Sequence, residues 1–311
     1  MAGNNEKKRF ISGCGGVNVD LIFSGLPRIP GEGEELYSKE FSVRLGGGSP
    51  GTLVLLRRLG VPVRLQTGLG KDLFSRFAAS ALEKEDIDIC NLCPDTDDIP
   101  VNISSVILTP RDRTFVSYSD GIEKSDETAR KIYESSLGAD ICVMDPAFTD
   151  VYRQLKKEGS RIALDMGWSD TLSLETCRHY LELADYYTPN RKEALKLTGR
   201  GTPEEAAKVL AEFMDTVVIK LDSEGCLIFR DGRFTKVPVI PGIKAVDSTG
   251  AGDAFLAGYL YGIYRGFDPV RSVLLGNLTG GRCVTKTGCL TASYTEDELL
   301  ADAEKYACLC P

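Results

Sequence analysis

Apolar positions in this chain form short runs and alternating stretches, most of them bounded by glycine or proline. Phe10 to Cys14 reads as a buried strand, and the alternation from Val17 to Phe23 extends it past Gly13, Gly15 and Gly16. After turns at Pro27, Pro30 and Gly31, Glu35 to Leu45 alternates like an exposed strand. Val101 to Thr109 and Thr114 to Tyr118 flank Pro110-Arg111-Asp112-Arg113 as a hairpin. These pieces predict a small separate sheet, a lid built from about 17–45 and 101–120.

Helical and strand periods alternate elsewhere. Helices are predicted over Pro50 to Leu59, Asp72 to Glu85, Arg191 to Thr198, Pro203 to Phe213 and Ala251 to Tyr264. Strands are predicted over Val61 to Thr67, Asp140 to Met144, Arg161 to Asp165 and Thr216 to Leu221. That rhythm implies a doubly wound α/β fold: a mainly parallel sheet with helices on both faces, forming one domain over 8–311. In such sheets ligands bind at the carboxyl ends of the strands, so the loops after them are where chemistry is sought.

Composition narrows the classes. At 42% hydrophobic and 26% charged, the 311 residues suit a globular core, and the net charge of −8 without a basic run argues against nucleic acid. No apolar stretch is long enough to span a bilayer, the N-terminus is polar, and a cytoplasmic protein with reduced thiols is expected. Of the ten cysteines, Cys90, Cys93, Cys308 and Cys310 make a zinc site only if the fold unites the two pairs. His179 is the only histidine, which nearly excludes triads and histidine-based metal sites.

The most informative segment is Asp247-Ser248-Thr249-Gly250-Ala251-Gly252-Asp253, leading into an apolar helix. Glycines at a helix start let N–H groups converge on an anion, and the helix dipole adds positive charge. Asp253 would then sit ionised beside a phosphate, able to accept a hydroxyl proton; in isolation it reads equally well as an acidic helix cap. A Walker lysine and the Gly-x-Gly-x-x-Gly fingerprint are both missing, so those two nucleotide folds match poorly.

Taken with five further segments, this one resembles the signature of the ribokinase-like (PfkB) carbohydrate kinases. Gly46-Gly47-Gly48-Ser49-Pro50 is similar to the family's amino-terminal glycine motif, and Gly15-Gly16-Val17-Asn18-Val19-Asp20 to its first strand. Gly68-Leu69-Gly70-Lys71-Asp72, Thr188-Pro189-Asn190-Arg191-Lys192-Glu193 and Val217 to Gly225 follow in order, so the likeness covers nearly the whole chain. It implies transfer of the γ-phosphoryl of MgATP to a hydroxyl of a small sugar, with Asp253 as base and Gly250, Ala251 and Gly252 as the anion hole.

The same resemblance distributes the other roles. Substrate contacts fall on Asn18, Asp20, Gly47, Gly48, Gly51 and Asp253. Nucleotide contacts fall on Asn190, Lys220, Asp222, Gly225, Thr249, Gly250, Gly252 and Asn277. Glu193 and Asn190 would orient Mg²⁺ through water, and Asp247, Thr249, Cys283, Lys286 and Gly288 would form a loop for a monovalent cation such as K⁺. Read by themselves, Asn18 and Asp20 share one face of a strand, as suits a polyol, while Asn190 and Glu193 also read as a solvated helix face.

The sequence also departs from the pattern. Gly51 stands where the family usually has asparagine, and Ala147 where ribokinases have a sugar-contact acid, for which Asp145 is a possible substitute. Lys220-Leu221-Asp222 replaces the usual Thr-Leu-Gly. Arg111 and Arg113 fall in the lid turn, where a cation can meet an anionic substrate or solvent. A nucleoside kinase and a non-catalytic sugar or nucleoside sensor are the alternatives, the intact Asp253 speaking against the sensor. The lid's exposed edges suggest a homodimer.

Overall fold

The computed structural model describes residues 9–310, whose strands form three sheets. In chain order they are β1 (Ile11–Cys14), β2 (Asn18–Ser24), β3 (Glu40–Leu45), β4 (Val63–Thr67), β5 (Asp88–Asn91), β6 (Asn102–Leu108) and β7 (Arg113–Tyr118). β8 (Ile141–Met144), β9 (Arg161–Leu164), β10 (Tyr186–Tyr187), β11 (Thr216–Lys220), β12 (Cys226–Arg230) and β13 (Arg233–Val237) follow.

The main sheet is parallel throughout, in the order β10-β9-β8-β1-β4-β5. Its central strands β1 and β8 are buried at every position, as expected where helices cover both faces. Along β8, Ile141 and Val143 join one core with Leu53, Phe255 and Leu275. Cys142 and Met144 join the other, with Tyr152, Leu155 and Leu210. Winding runs outward in opposite directions from β1 and β8, which opens a crevice at their carboxyl ends.

The antiparallel β11-β12-β13 sheet continues this layer, because Asn190 bridges Lys220 and the Lys220 N–H donates to the Pro189 carbonyl at 2.9 Å. The lid is a separate four-stranded sheet in the order β3-β2-β6-β7. Its β2 pairs parallel with β6 and antiparallel with β3.

Three expectations change. The first strand does not run on past its glycines: the chain leaves the main sheet after Cys14 and enters the lid at Asn18. The strand expected from Glu35 begins at Glu40, because its partner β2 ends at Ser24 and Gly25 turns away with φ 78°. The helices Asp126–Ser136, Thr149–Lys157, Pro269–Cys283 and Glu296–Lys305, and the β12–β13 hairpin, add to the elements read from sequence, while helix Leu174–Leu181 is the one expected around His179.

The ten cysteines are free thiols, and no cluster of three or more potential metal ligands occurs among the described residues. His179 lies exposed on its helix. Among the described residues, no helix is long and apolar enough to cross a membrane.

Candidate active site

Helix Ala251–Tyr264 starts from Gly250, which is left-handed at φ 75° and ψ 3°. Glycine takes that conformation without strain, and a side chain there would also collide with Cys289. Asp253 is thereby set in the first helical turn, where N–H groups lack helical acceptors and the dipole is positive. Of the three residues read as the anion hole, Ala251 already has an acceptor in the protein: its N–H turns to the Ser248 carbonyl at 3.3 Å.

The amino-terminal glycine loop closes on the same carboxylate. The Gly48 N–H donates to Asp253 Oδ2 at 2.8 Å across 205 residues of chain. Gly47 has no room for a side chain, which would run into that carboxylate. Burial pushes Asp253 up to about 6, and negative charge on Asp165 adds to this, while the Gly48 N–H and Lys220 pull the other way. Burial therefore outweighs the Gly48 N–H and Lys220, and Asp253 is a stronger base than a solvated aspartate yet still ionised at neutral pH.

Asp165 lies just past β9, and no local sequence signal marks it beyond its place at a strand end. It makes no hydrogen bond or ion pair with the described residues; burial raises its pKa and Lys220 opposes the rise. Lys220, at the end of β11, lies beside the anion hole: a methyl group added to Gly252 would sit 3.5 Å from its Nζ. The ammonium also lies over the Phe255 ring, 5.6 Å from its centroid. One cation thus faces two carboxylates where phosphate would sit.

Next to it opens a cleft of about 660 Å³, lined by Asn190, Lys220, Asp222, Gly225, Gly252 and Asn277, with Val239, Ile240 and Ile243 as an apolar wall. That volume and mixed lining suit a nucleotide. Thr249 is not on this wall; its N–H and hydroxyl both bond Asp247 Oδ1, at 2.9 and 2.6 Å.

The chain from 14 to 296 matches the profile described as pfkB family carbohydrate kinase. This protein belongs to the pfkB family. It is 26% identical to the ribokinase of Haemophilus influenzae, over 94% of this chain and 98% of that protein. It is 24% identical to the 5-dehydro-2-deoxygluconokinase of Clostridium tetani, over 84% of each. The solved ribokinase of Giardia lamblia superposes with a TM-score of 0.82 at 17% identity, covering 96% of this chain and 99% of that one. The protein is accordingly an ATP-dependent carbohydrate kinase that works with a divalent metal.

In this pfkB kinase several residues expected to touch ligand are occupied by the protein itself. Asn18 Nδ2 donates to the Gly47 carbonyl at 3.2 Å, and Asn18 Oδ1 accepts from Asn102 Nδ2 at 2.8 Å. Asn18 therefore holds the glycine loop against the lid. Asp20 has no such partner, and burial together with Asp247 raises it to about 6. Asn102, unremarked in the sequence, keeps a buried Oδ1 without a partner among the described residues. Gly51 is buried below the Gly46 carbonyl, 3.2 Å from any added methyl, so it packs the loop rather than lining the site.

Asn190 and Glu193 form a capping box. Asn190 Oδ1 accepts from the Glu193 N–H at 2.9 Å, and Glu193 Oε2 from the Asn190 N–H at 2.8 Å. Glu193 Oε1 has no such bond among the described residues, so the pair fits a divalent ion held through water. Asn277 Nδ2 donates to the carbonyls of Val237 and Pro238, at 3.3 and 3.0 Å, and thus shapes the cleft from behind. Asp145 caps its own turn by accepting from Ala147 N–H at 2.8 Å.

Proposed function

We propose that this kinase phosphorylates an unphosphorylated, neutral sugar or sugar-like polyol, with Asp253 as the base that activates the attacking hydroxyl. The observation that carries the reading is the convergence of both glycine loops on Asp253, with Lys220 beside it. The base and the group neutralising developing phosphoryl charge then both border the start of helix Ala251–Tyr264.

Asp253 takes the hydroxyl proton; the Gly252 N–H and the helix terminus hold the transferred group, and Lys220 balances its charge. Asp20 and the unpartnered Asn102 Oδ1 are acceptors for other substrate hydroxyls. Asn190 and Glu193 would hold a divalent ion, taken as Mg²⁺, through water, and when bound it would offset the charge of the ATP phosphates. Asp20, Asp165 and Asp253 disfavour a phosphorylated or acidic substrate, because a buried anion must be met by cations.

The lid closes over substrate and excludes water, and its edge strands β3 and β7 carry exposed Phe41, Val116 and Tyr118. A second copy pairing lid to lid covers them. The test of substrate class is ATP consumption over free sugars, sugar acids, sugar phosphates and nucleosides. A free sugar or polyol is expected to give the highest kcat/KM. A phosphorylated sugar at least tenfold better than every free sugar contradicts the reading, and a preferred nucleoside moves the protein to the nucleoside kinases.

A further inference from the structure

One side chain at the lid tip reaches the loop that precedes the anion hole. Arg113, the first residue of β7, donates from Nη1 to Asp247 Oδ1 at 2.7 Å and from Nη2 to Ser248 Oγ at 3.3 Å. Asp247 Oδ1 also accepts from the Thr249 N–H at 2.9 Å and hydroxyl at 2.6 Å, and its Oδ2 from the Gly288 N–H at 2.9 Å. A single carboxylate thus ties together the lid, the residues leading into Gly250, and the loop bearing Cys289, against which Gly250 packs.

These contacts leave no fitting place for the monovalent cation that the resemblance puts beside Asp247. Both carboxylate oxygens already meet protons of the protein. The Thr249 carbonyl accepts the Cys283 thiol at 3.4 Å, and the Val284 carbonyl accepts the Val246 N–H at 2.7 Å. A metal ion would also have to share the carboxylate with a guanidinium, at a distance where two like charges repel strongly. Although burial raises the carboxyl of Asp247, its bonds to Thr249 and Gly288 and the charge of Arg113 outweigh this and leave it below the ordinary range.

We infer that Arg113 is a positioning residue that stands in for a monovalent cation: it supplies the positive charge holding the Asp247 loop, and so couples lid closure to the order of the anion hole. The inference rests on the reading of Gly250 to Asp253 as the phosphoryl-transfer site. Loss of turnover in a folded Asp253→Asn variant tests that reading separately, before any salt comparison is made. Arg113 does not touch the reacting atoms; it acts through Asp247 on the backbone that leads into Gly250.

The test compares kcat, KM and Tm in potassium chloride and in tetramethylammonium chloride at equal ionic strength, for wild type, R113Q and R113K. Wild type is expected to give kcat and Tm values in the two salts that agree within twofold and within 1 °C, respectively. R113Q is expected to lose about tenfold or more in kcat in tetramethylammonium, with a smaller change in the KM for ATP, and to recover at least threefold in potassium. R113K, which keeps the charge, is expected to retain most activity in both salts. Stimulation of wild type by potassium of fivefold or more overturns the inference. So does R113Q as active as wild type in tetramethylammonium, or R113Q equally impaired in both salts, since packing rather than charge would then be what was lost.

Discussion

Asp253 and Asp165 share one cation, Lys220, and neither has a second among the described residues. Because a negative Asp165 disfavours ionisation of Asp253, replacing Asp165 by Asn lowers the pKa of the base. The acidic limb of kcat/KM against pH, expected near pH 6 in wild type, should move to lower pH in D165N. A limb that stays in place or moves up would separate Asp165 from the base. Asp165 was illegible in the sequence because its role comes from neighbours on other strands, whereas the Gly250-Ala251-Gly252-Asp253 run announces its chemistry locally. Asn18 was legible as a polar residue at a strand end, but its duty is to brace the glycine loop, which only the pairing of β2 with β6 reveals.

At the level of elements, local signals decided what could be read. Helices Arg191–Thr198 and Ala251–Tyr264 were legible to the residue because Asn190 and Gly250 mark their starts. Helix Asp126–Ser136 fully buries only Thr128, Ile132 and Ser136, and its apolar face is just Ala129, Ile132 and Tyr133, too short to stand out in the sequence. Helix Pro269–Cys283 contains Gly276, Gly280 and Gly281, which argue against a helix until the Phe255 ring is seen against Gly276. The hairpin of β12 and β13 did carry a signal, Asp231-Gly232, with φ of 51° and 73°. Caps also offer a control far from the chemistry. Thr202→Ala removes the capping box of helix Pro203–Leu210 and should cost about 1 kcal/mol in urea unfolding, with kcat unchanged. A change in kcat would mean that this helix is coupled to the site.

For the whole molecule, the family and its layered architecture were readable because six motifs occur in order; the path by which the chain leaves β1 for the lid was not. Lid pairing between two copies makes a prediction at this scale. In sedimentation, wild type should form a concentration-dependent dimer, and Val116→Asp, which puts a charge on the exposed edge strand β7, should shift it to monomer. A monomeric wild type at all accessible concentrations would contradict the lid pairing and leave the catalytic reading untouched.

The central claim, that Asp253 is the base, is tested most directly by the kcat of Asp253→Asn on the best sugar from the panel. Folded Asp253 keeps its proton up to about pH 6, whereas an ordinary aspartate releases it near 3.8, so its buried charge costs stability above pH 6. The variant should therefore melt at or above the wild-type Tm at pH 8, which establishes that it is folded. Its kcat should fall by about 10² to 10⁴-fold or more, with nucleotide affinity little changed. If Asp253 were only a helix cap, asparagine would replace it almost fully. A folded Asp253→Asn whose kcat stays within threefold of wild type would contradict the account.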